Sequence, residues 1–145
     1  MYVFDSCILV AALRSRQGAS FLILSAIRRR AITGALSEAL FLEYADVLKR
    51  DENLQQFWTS PEEVAVVLGV LADVLKPVSI YFQWRPQLRD ANDERVLECA
   101  INAQATAIVT FNERDFLPAA TQFGIKVIRP GVLVQSLNLK EHLSK

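Results

Sequence analysis

Histidine and cysteine are scarce in this sequence. Its 145 residues include one histidine, His142, and two cysteines, Cys7 and Cys99, which form no C-x-x-C pair. A histidine-based zinc site and a Ser-His-Asp triad are therefore poorly supported, and any catalysis is expected to use carboxylates. The two distant cysteines fit a reducing compartment, where both are expected to be small, buried apolar residues.

An excess of one charge and long apolar runs are also lacking. Lys+Arg and Asp+Glu number 16 each, which excludes a broad basic surface for nucleic acid but permits a local basic patch. No apolar segment reaches the roughly 18 residues of a membrane span, and the first residues lack the basic start of a secretion signal. We therefore expect a soluble cytoplasmic protein that does not bind a membrane.

Glycine and proline number only 5 each, whereas hydrophobic residues make up 52%, as in a folded domain. Helical and strand patterns alternate along the chain, and this order predicts one α/β domain with three layers, α/β/α, around a mostly parallel five-stranded sheet. The domain is expected to cover residues 1–137, followed by a polar tail at 138–145. The predicted strands lie at 2–4, 31–36, 78–80, 107–109 and 125–128.

Polar side chains follow two of these predicted strands. Asp5 and Ser6 come directly after the first strand, and Asn112 and Asp115 come shortly after the fourth, which ends in Thr110. In open α/β sheets, ligands bind outside the carboxyl ends of the strands. Helix capping by Asp5 or Ser6 and turn formation by the later pair are the simpler explanations.

Two further acids lie on the apolar faces of predicted helices. Glu43 follows Leu40 by three residues, so it projects with the apolar stripe of its helix, and Asp93 begins a similar face one turn before Leu97. Glu43 has the alternative of extending its carboxylate out to solvent. For Asp93 the alternative is ordinary placement of a negative charge in the first turn of a helix.

Taken together, these acids indicate a metal site. Carboxylates from four separate segments would repel one another in a cleft, and a divalent cation would offset that repulsion. Oxygen ligands favour Mg²⁺ or Mn²⁺, and such ions support displacement at phosphorus. The residues therefore point to metal-dependent hydrolysis of phosphodiester bonds.

Four stretches of the chain, residues 3–10, 36–48, 89–100 and 107–116, resemble the PIN-domain ribonucleases. The resemblance is greatest to the toxins of bacterial and archaeal toxin–antitoxin pairs (VapC-like). It implies a PIN-like fold, a Mg²⁺- or Mn²⁺-dependent endoribonuclease acting on RNA, a homodimer and a cognate antitoxin protein.

The resemblance also implies roles for individual residues. Asp5 and Asp93 match the main metal ligands, and Glu43 matches an acid that binds metal through water or orients the nucleophile. Asp115 or Asn112 would close the site, with Ser6 and Thr110 in support. Many family members carry Asp where this chain has Asn112, so the number of metal ions, one or two, stays open.

RNA binding would require cations near these acids. The candidates are Arg14 and Arg16 after the first predicted helix, Arg89 and Arg95 near Asp93, and Arg114 beside Asp115. Ordinary solvated surface charge is the alternative for each of them.

Two other functions remain open. One is a phosphatase with Asp5 as an aspartyl nucleophile, although Cys7 stands where such enzymes usually carry a second Asp. The other is a binding module in which Asn112 marks a PIN-like site that has lost its activity.

Overall fold

A computed structural model describes residues 1–81, 88 and 90–139 of the chain. Strands and helices alternate along these residues. The strands are β1 (Tyr2–Phe4), β2 (Ala35–Leu36), β3 (Lys76–Pro77), β4 (Ala107–Val109) and β5 (Lys126–Ile128). The helices are α1 (Ser6–Arg14), α2 (Ala19–Arg28), α3 (Glu38–Leu48), α4 (Asp51–Leu54), α5 (Pro61–Val74), α6 (Ala91–Ala103), α7 (Glu113–Gln122) and α8 (Pro130–Ser136).

Every strand pair among the described residues is parallel. β1, β4 and β5 form one sheet in the order β1-β4-β5, and β2 pairs with β3 in a second sheet. A single bridge between Tyr2 and Gly34 connects them, so the strands follow one another in space as β3-β2-β1-β4-β5. The predicted α/β class, with a parallel sheet flanked by helices, is confirmed. The predicted five-stranded sheet, however, is divided into three strands and two.

The division occurs where β1 and β2 approach each other at Gly34. A Cβ atom at this position would lie 2.5 Å from Leu75 Cδ2 and 2.8 Å from Phe4 Cε2, so only glycine fits without displacing these side chains. β2 begins at Ala35 rather than at residue 31 as predicted, which limits its pairing with β1 to the one bridge.

The third strand also differs from its predicted position at 78–80. β3 is Lys76–Pro77, because the Lys76 N–H donates to the Gly34 carbonyl (2.8 Å) and the Val78 N–H donates to the Leu36 carbonyl (3.0 Å). Pro77 lies between these two donors. Proline is tolerated at such a position on an edge strand, where no N–H is required of it.

Helix α6 contacts β1, β2 and β4, and α7 contacts β5. The hydroxyl of buried Tyr44 on α3 donates a hydrogen bond to the Phe4 carbonyl at the end of β1. This bond fixes the backbone immediately before Asp5. The core therefore holds the carboxyl end of β1 in a defined position relative to α3.

Leu139, the last described residue, is buried in the same core, and residues 140–145 lie outside the described part of the chain. Within the described residues, no single helix has the length and apolar character to cross a membrane. α1 and α2 meet that requirement only as a pair bent by 105°.

Candidate functional site

The strand order reverses between β1 and β4, and Asp5 and Thr110 directly follow these two strands. Such a reversal opens a crevice at the carboxyl ends of the strands, the common ligand position in α/β folds. The Asp5 N–H donates to the Val109 carbonyl at 3.0 Å, which joins the two strand ends. Asp5 and Thr110 are both buried, so their polar atoms must find partners within the protein.

The side chain of Asp5 does not cap α1. Asp5 occupies the N-cap position, but within the described residues its carboxylate accepts no hydrogen bond from a backbone N–H of the first turn of that helix. Instead, Thr110 Oγ1 donates to Asp5 Oδ2 at 2.7 Å, and the Asn112 N–H donates to Thr110 Oγ1 at 3.0 Å. The backbone at Asn112 thus fixes the orientation of the Thr110 hydroxyl, and this hydroxyl positions the Asp5 carboxylate.

Cys7 differs from the expected small, buried apolar residue. It is only partly buried, and its Sγ lies 3.4 Å from Asp5 Oδ2 and 3.7 Å from Thr110 Oγ1. Burial, followed by the negative charge of Asp5, raises the pKa of the Cys7 thiol to about 12. The thiol therefore stays protonated and donates to the carboxylate. Cys99 is fully buried, as expected.

Glu43 lies inside the protein and does not extend to solvent. Only 5% of its side chain is exposed, and its Oε2 accepts a hydrogen bond from Arg95 Nη1 at 3.0 Å. Burial raises the pKa of Glu43, while the positive charges of Arg95 and Arg50 act in the opposite direction. Glu43 is thus a buried carboxylate, and Arg95 is its ion-pair partner among the described residues.

Asp93 is free of the capping role at the start of α6, because Asp90 performs it. Asp90 Oδ1 accepts a hydrogen bond from the Asn92 N–H at 2.8 Å. The pKa of Asp93 is raised to about 7, and partial burial is the largest cause. The remaining causes are the negative charges of four neighbouring carboxylates: Asp5, Asp90, Asp115 and Glu43. The predicted acids therefore act on one another electrostatically across four separate segments.

Two neighbouring cavities contain these residues, and Asp90 and Asp93 line both of them. The larger cavity, of about 660 Å³, is lined by four other residues predicted for the metal site: Asp5, Ser6, Glu43 and Asn112. The smaller cavity, of about 540 Å³, is lined by Arg114 and Asp115. Asn112 and Asp115, the alternatives for the fourth position, thus lie on different sides of Asp93.

The five predicted RNA-contacting arginines have different surroundings. Arg95 is paired with Glu43. Arg14 lines the larger cavity and Arg114 the smaller one. The Arg16 guanidinium instead stacks on Trp58, 4.3 Å from the ring centroid. Arg89 lies outside the described residues.

Sequence reasoning missed two residues that line the larger cavity, Arg50 and Asn53. Arg50 forms an ion pair with Asp46 at 2.7 Å, and Asn53 accepts a hydrogen bond from Arg14. The only sequence signal for Arg50 is its position at the predicted end of a helix, and Asn53 carries none. Both are recognised as cavity residues only from the tertiary structure, in which Asn53 on α4 is hydrogen-bonded to Arg14 at the end of α1.

The available donors fit a hydrated divalent cation. Asp5, Glu43 and Asp93 offer carboxylate oxygens, which suit Mg²⁺ or Mn²⁺, and the repulsion that raises the Asp93 pKa is the charge that such an ion would offset. Across residues 1–81, 88 and 90–139, no three His, Cys, Asp or Glu side chains form a group that would enclose a metal ion. Mg²⁺ needs only one or two carboxylates, because it retains several waters.

Comparison with known families agrees with this architecture. The family model described as the PIN domain matches residues 1–114, more than three quarters of the chain. The matched region includes Asp5, Glu43, Asp93 and Asn112 and ends one residue before Asp115. No curated protein matches the sequence at a significant level.

Proposed function

Because the chain belongs to the PIN-domain family, a family of metal-dependent nucleases, we propose that it is a Mg²⁺- or Mn²⁺-dependent endoribonuclease. The observation that carries this proposal is the convergence of Asp5, Glu43 and Asp93 on one cavity at the point where the strand order reverses. In agreement with this geometry, burial and four neighbouring carboxylates raise the pKa of Asp93 to about 7. Ionisation of these clustered carboxylates is unfavourable without a counter-charge. A bound cation would supply that charge and would also attract an anionic substrate.

In this proposal, Asp5 and Asp93 are the main metal ligands, and Glu43 binds the ion through water or orients the attacking water. Asp115 or Asn112 closes the site, and Ser6 supports it from the first turn of α1. When bound, the ion offsets the charge of the cluster and supplies Lewis-acid activation of water for attack at phosphorus.

The remaining residues hold these groups in place. Arg95 keeps the Glu43 carboxylate oriented through their 3.0 Å contact. Arg14 and Arg114, each in one of the two cavities, contact the phosphates of the RNA strand, and Arg89 is a further candidate. Arg16 is a weaker candidate, because its guanidinium is already stacked on Trp58.

We further propose that the protein is a cytoplasmic, homodimeric toxin held inactive by a small antitoxin protein. The supporting observation is the similarity of four segments to toxin members of the family. Exposed apolar side chains such as Leu42, Val66 and Val132 offer surface that partner chains would cover.

Cleavage of a labelled RNA with Mg²⁺ or Mn²⁺, compared with the same reaction in EDTA, tests the proposed activity. We expect internal cleavage with either metal and none in EDTA. Trapping of phosphate on Asp5 from a phosphate monoester would instead identify a phosphatase. Absence of both reactions, together with absence of Mn²⁺ binding, would identify an inactive binding module.

Replacing Thr110 by Val should lower cleavage by about 10–100-fold, the usual effect of removing a group that orients a metal ligand. The substitution deletes the hydrogen bond to Asp5 and leaves the Asn112 N–H without its acceptor, so a stability loss of about 1–3 kcal/mol is also expected. Cleavage kinetics and thermal unfolding measure the two effects.

Thr121→Val is the matched control, because among the described residues the exposed Thr121 hydroxyl donates only to the Leu117 carbonyl of its own helix. It should cleave RNA at the wild-type rate. Full activity in Thr110→Val would show that the hydroxyl does not position Asp5 for the reaction.

A further inference from the structure

A buried amide, Asn53, joins α4 to the end of α1. Asn53 is only 8% exposed, and its Nδ2 donates to the Val47 carbonyl at 2.7 Å. Its Oδ1 accepts a hydrogen bond from Arg14 Nη2 at 3.3 Å. The bond to Val47 fixes which end of the amide faces Arg14, so the acceptor is held ready for this guanidinium.

Arg14 and Arg16 lie near the same end of α1, but their side chains are in different environments. Arg14 lines the larger cavity, which also contains Asp5. Arg16 stacks on Trp58, whose Nε1 donates to the Ala12 carbonyl at 3.0 Å. One arginine is therefore directed to the cavity, and the other is held on the outside of the same segment.

Arg50 adds a second cation to this part of the cavity. Its backbone carbonyl accepts hydrogen bonds from the N–H groups of Asn53 and Leu54, both at 3.0 Å. Its guanidinium pairs with Asp46 at 2.7 Å. The same short helix that presents the Asn53 amide thus fixes the position of Arg50.

Helix α1 runs along the larger cavity and gives it opposite charges at its two ends. Asp5 precedes the helix and Arg14 is its last residue, so their Cα atoms are separated by about 13 Å of helix. Arg14 thus enters the cavity from the end opposite Asp5, where a strand bound at Asp5 would present a neighbouring phosphate.

We propose that Arg14 and Arg50, with Asn53 as a positioning residue, form a second phosphate subsite for an oligonucleotide strand that extends beyond the scissile bond. The inference rests on the proposed nuclease function and deepens it by defining the substrate as a strand with several phosphates. Arginine carries five N–H donors, and the bond to Asn53 occupies one, so Arg14 retains donors for a phosphate. Such contacts position a strand without reading its bases.

Competition binding in EDTA tests the subsite without depending on catalysis. The probes are a dinucleotide with one phosphodiester and a hexanucleotide of the same base. We expect the hexanucleotide to bind the wild-type protein more tightly, and Arg14→Ala to weaken its binding by about tenfold. The slope of log affinity against log salt should fall by about 0.7 in this variant. Dinucleotide binding should not change.

Three further variants separate positioning from stability. Arg28→Ala, at the exposed end of α2 and outside both cavities, is the matched control and should bind both probes like the wild type. Arg14→Lys should keep the salt slope. Asn53→Asp adds a charge that competes with phosphate for Arg14, so it should lower the salt slope as Arg14→Ala does. A purely structural role for Asn53 would lower the melting temperature and leave that slope unchanged.

Several outcomes would overturn the subsite. These are no hexanucleotide binding by the wild type, equal binding of the two probes, equal losses for both probes in Arg14→Ala, and the same loss in Arg28→Ala. An unchanged salt slope in Asn53→Asp would show that Asn53 does not position Arg14 in the proposed subsite. Failure of the wild type to cleave RNA with Mn²⁺, with the length-dependent binding intact, would contradict the nuclease function alone.

Discussion

Replacing Asp5 by Asn is expected to reduce RNA cleavage by more than about 100-fold while leaving the fold intact. Loss of a group that only orients a metal ligand costs up to about 100-fold, and Asp5 is proposed to be a ligand itself. The fold should tolerate the change, because the Asp5 side chain does not cap α1 in the described structure. Asparagine also keeps an oxygen that accepts the hydrogen bond from Thr110.

Asp73→Asn provides the comparison, because Asp73 is a highly exposed acid that pairs only with Arg30 in the described structure. The two variants should differ in cleavage rate but not in melting temperature: Asp5→Asn loses activity and keeps its melting temperature, and Asp73→Asn keeps both. In cells, wild-type expression should arrest growth and Asp5→Asn should not, if the toxin role is correct. An unfolded Asp5→Asn protein would assign Asp5 to structure, and an active one would remove it from the site.

Local sequence signals predicted much of the fold. The β1 and β4 runs are short and rich in β-branched or aromatic residues, and both occur at their predicted positions. Ser37 and Ser60 cap α3 and α5 through hydrogen bonds of 3.2 Å from the N–H groups three residues later. These features depend on neighbours in sequence, and they are the ones that sequence analysis recovers.

The β2–β3 pair was less predictable, because its position depends on tertiary contacts. The third strand was predicted at 78–80, but it includes Pro77, because Lys76 and Val78 supply the N–H donors on either side of it. Helix α7 likewise runs from Glu113 to Gln122 through Pro118, a residue that usually ends or kinks a helix. Neither result follows from local propensity.

The candidate site shows the same distinction. Asp5 follows a strand and Glu43 lies on an apolar stripe. These two positions were enough to predict that both side chains face one cavity. The partners that orient them come from distant segments: Thr110 lies 105 residues from Asp5, and Arg95 lies 52 residues from Glu43. Such pairs are set by how the segments pack, and no spacing rule within one element predicts them.

Without metal, the protein should lose stability as the pH rises from about 4 to about 7. Unfolded Asp93 ionises near its ordinary pKa of 3.8, whereas folded Asp93 retains its proton up to a pKa of about 7. The unfolded state therefore releases this proton first, and the stabilising contribution of protonated Asp93 is lost through that pH range. Thermal unfolding in EDTA across this range measures the effect.

Asp93→Asn cannot ionise at this position, so it should be more stable than the wild type at pH 8 in EDTA and equal to it at pH 4. Because Asp93 is partly exposed, solvent screening reduces the gain to about 1 kcal/mol, a rise of about 3 °C in melting temperature. Mn²⁺ should raise the melting temperature of the wild type at pH 8 but not that of Asp93→Asn, because the ion replaces the proton that the carboxylate has lost. If the melting temperatures of Asp93→Asn and the wild type in EDTA changed in parallel with pH, Asp93 would not be the group that responds to its acidic neighbours.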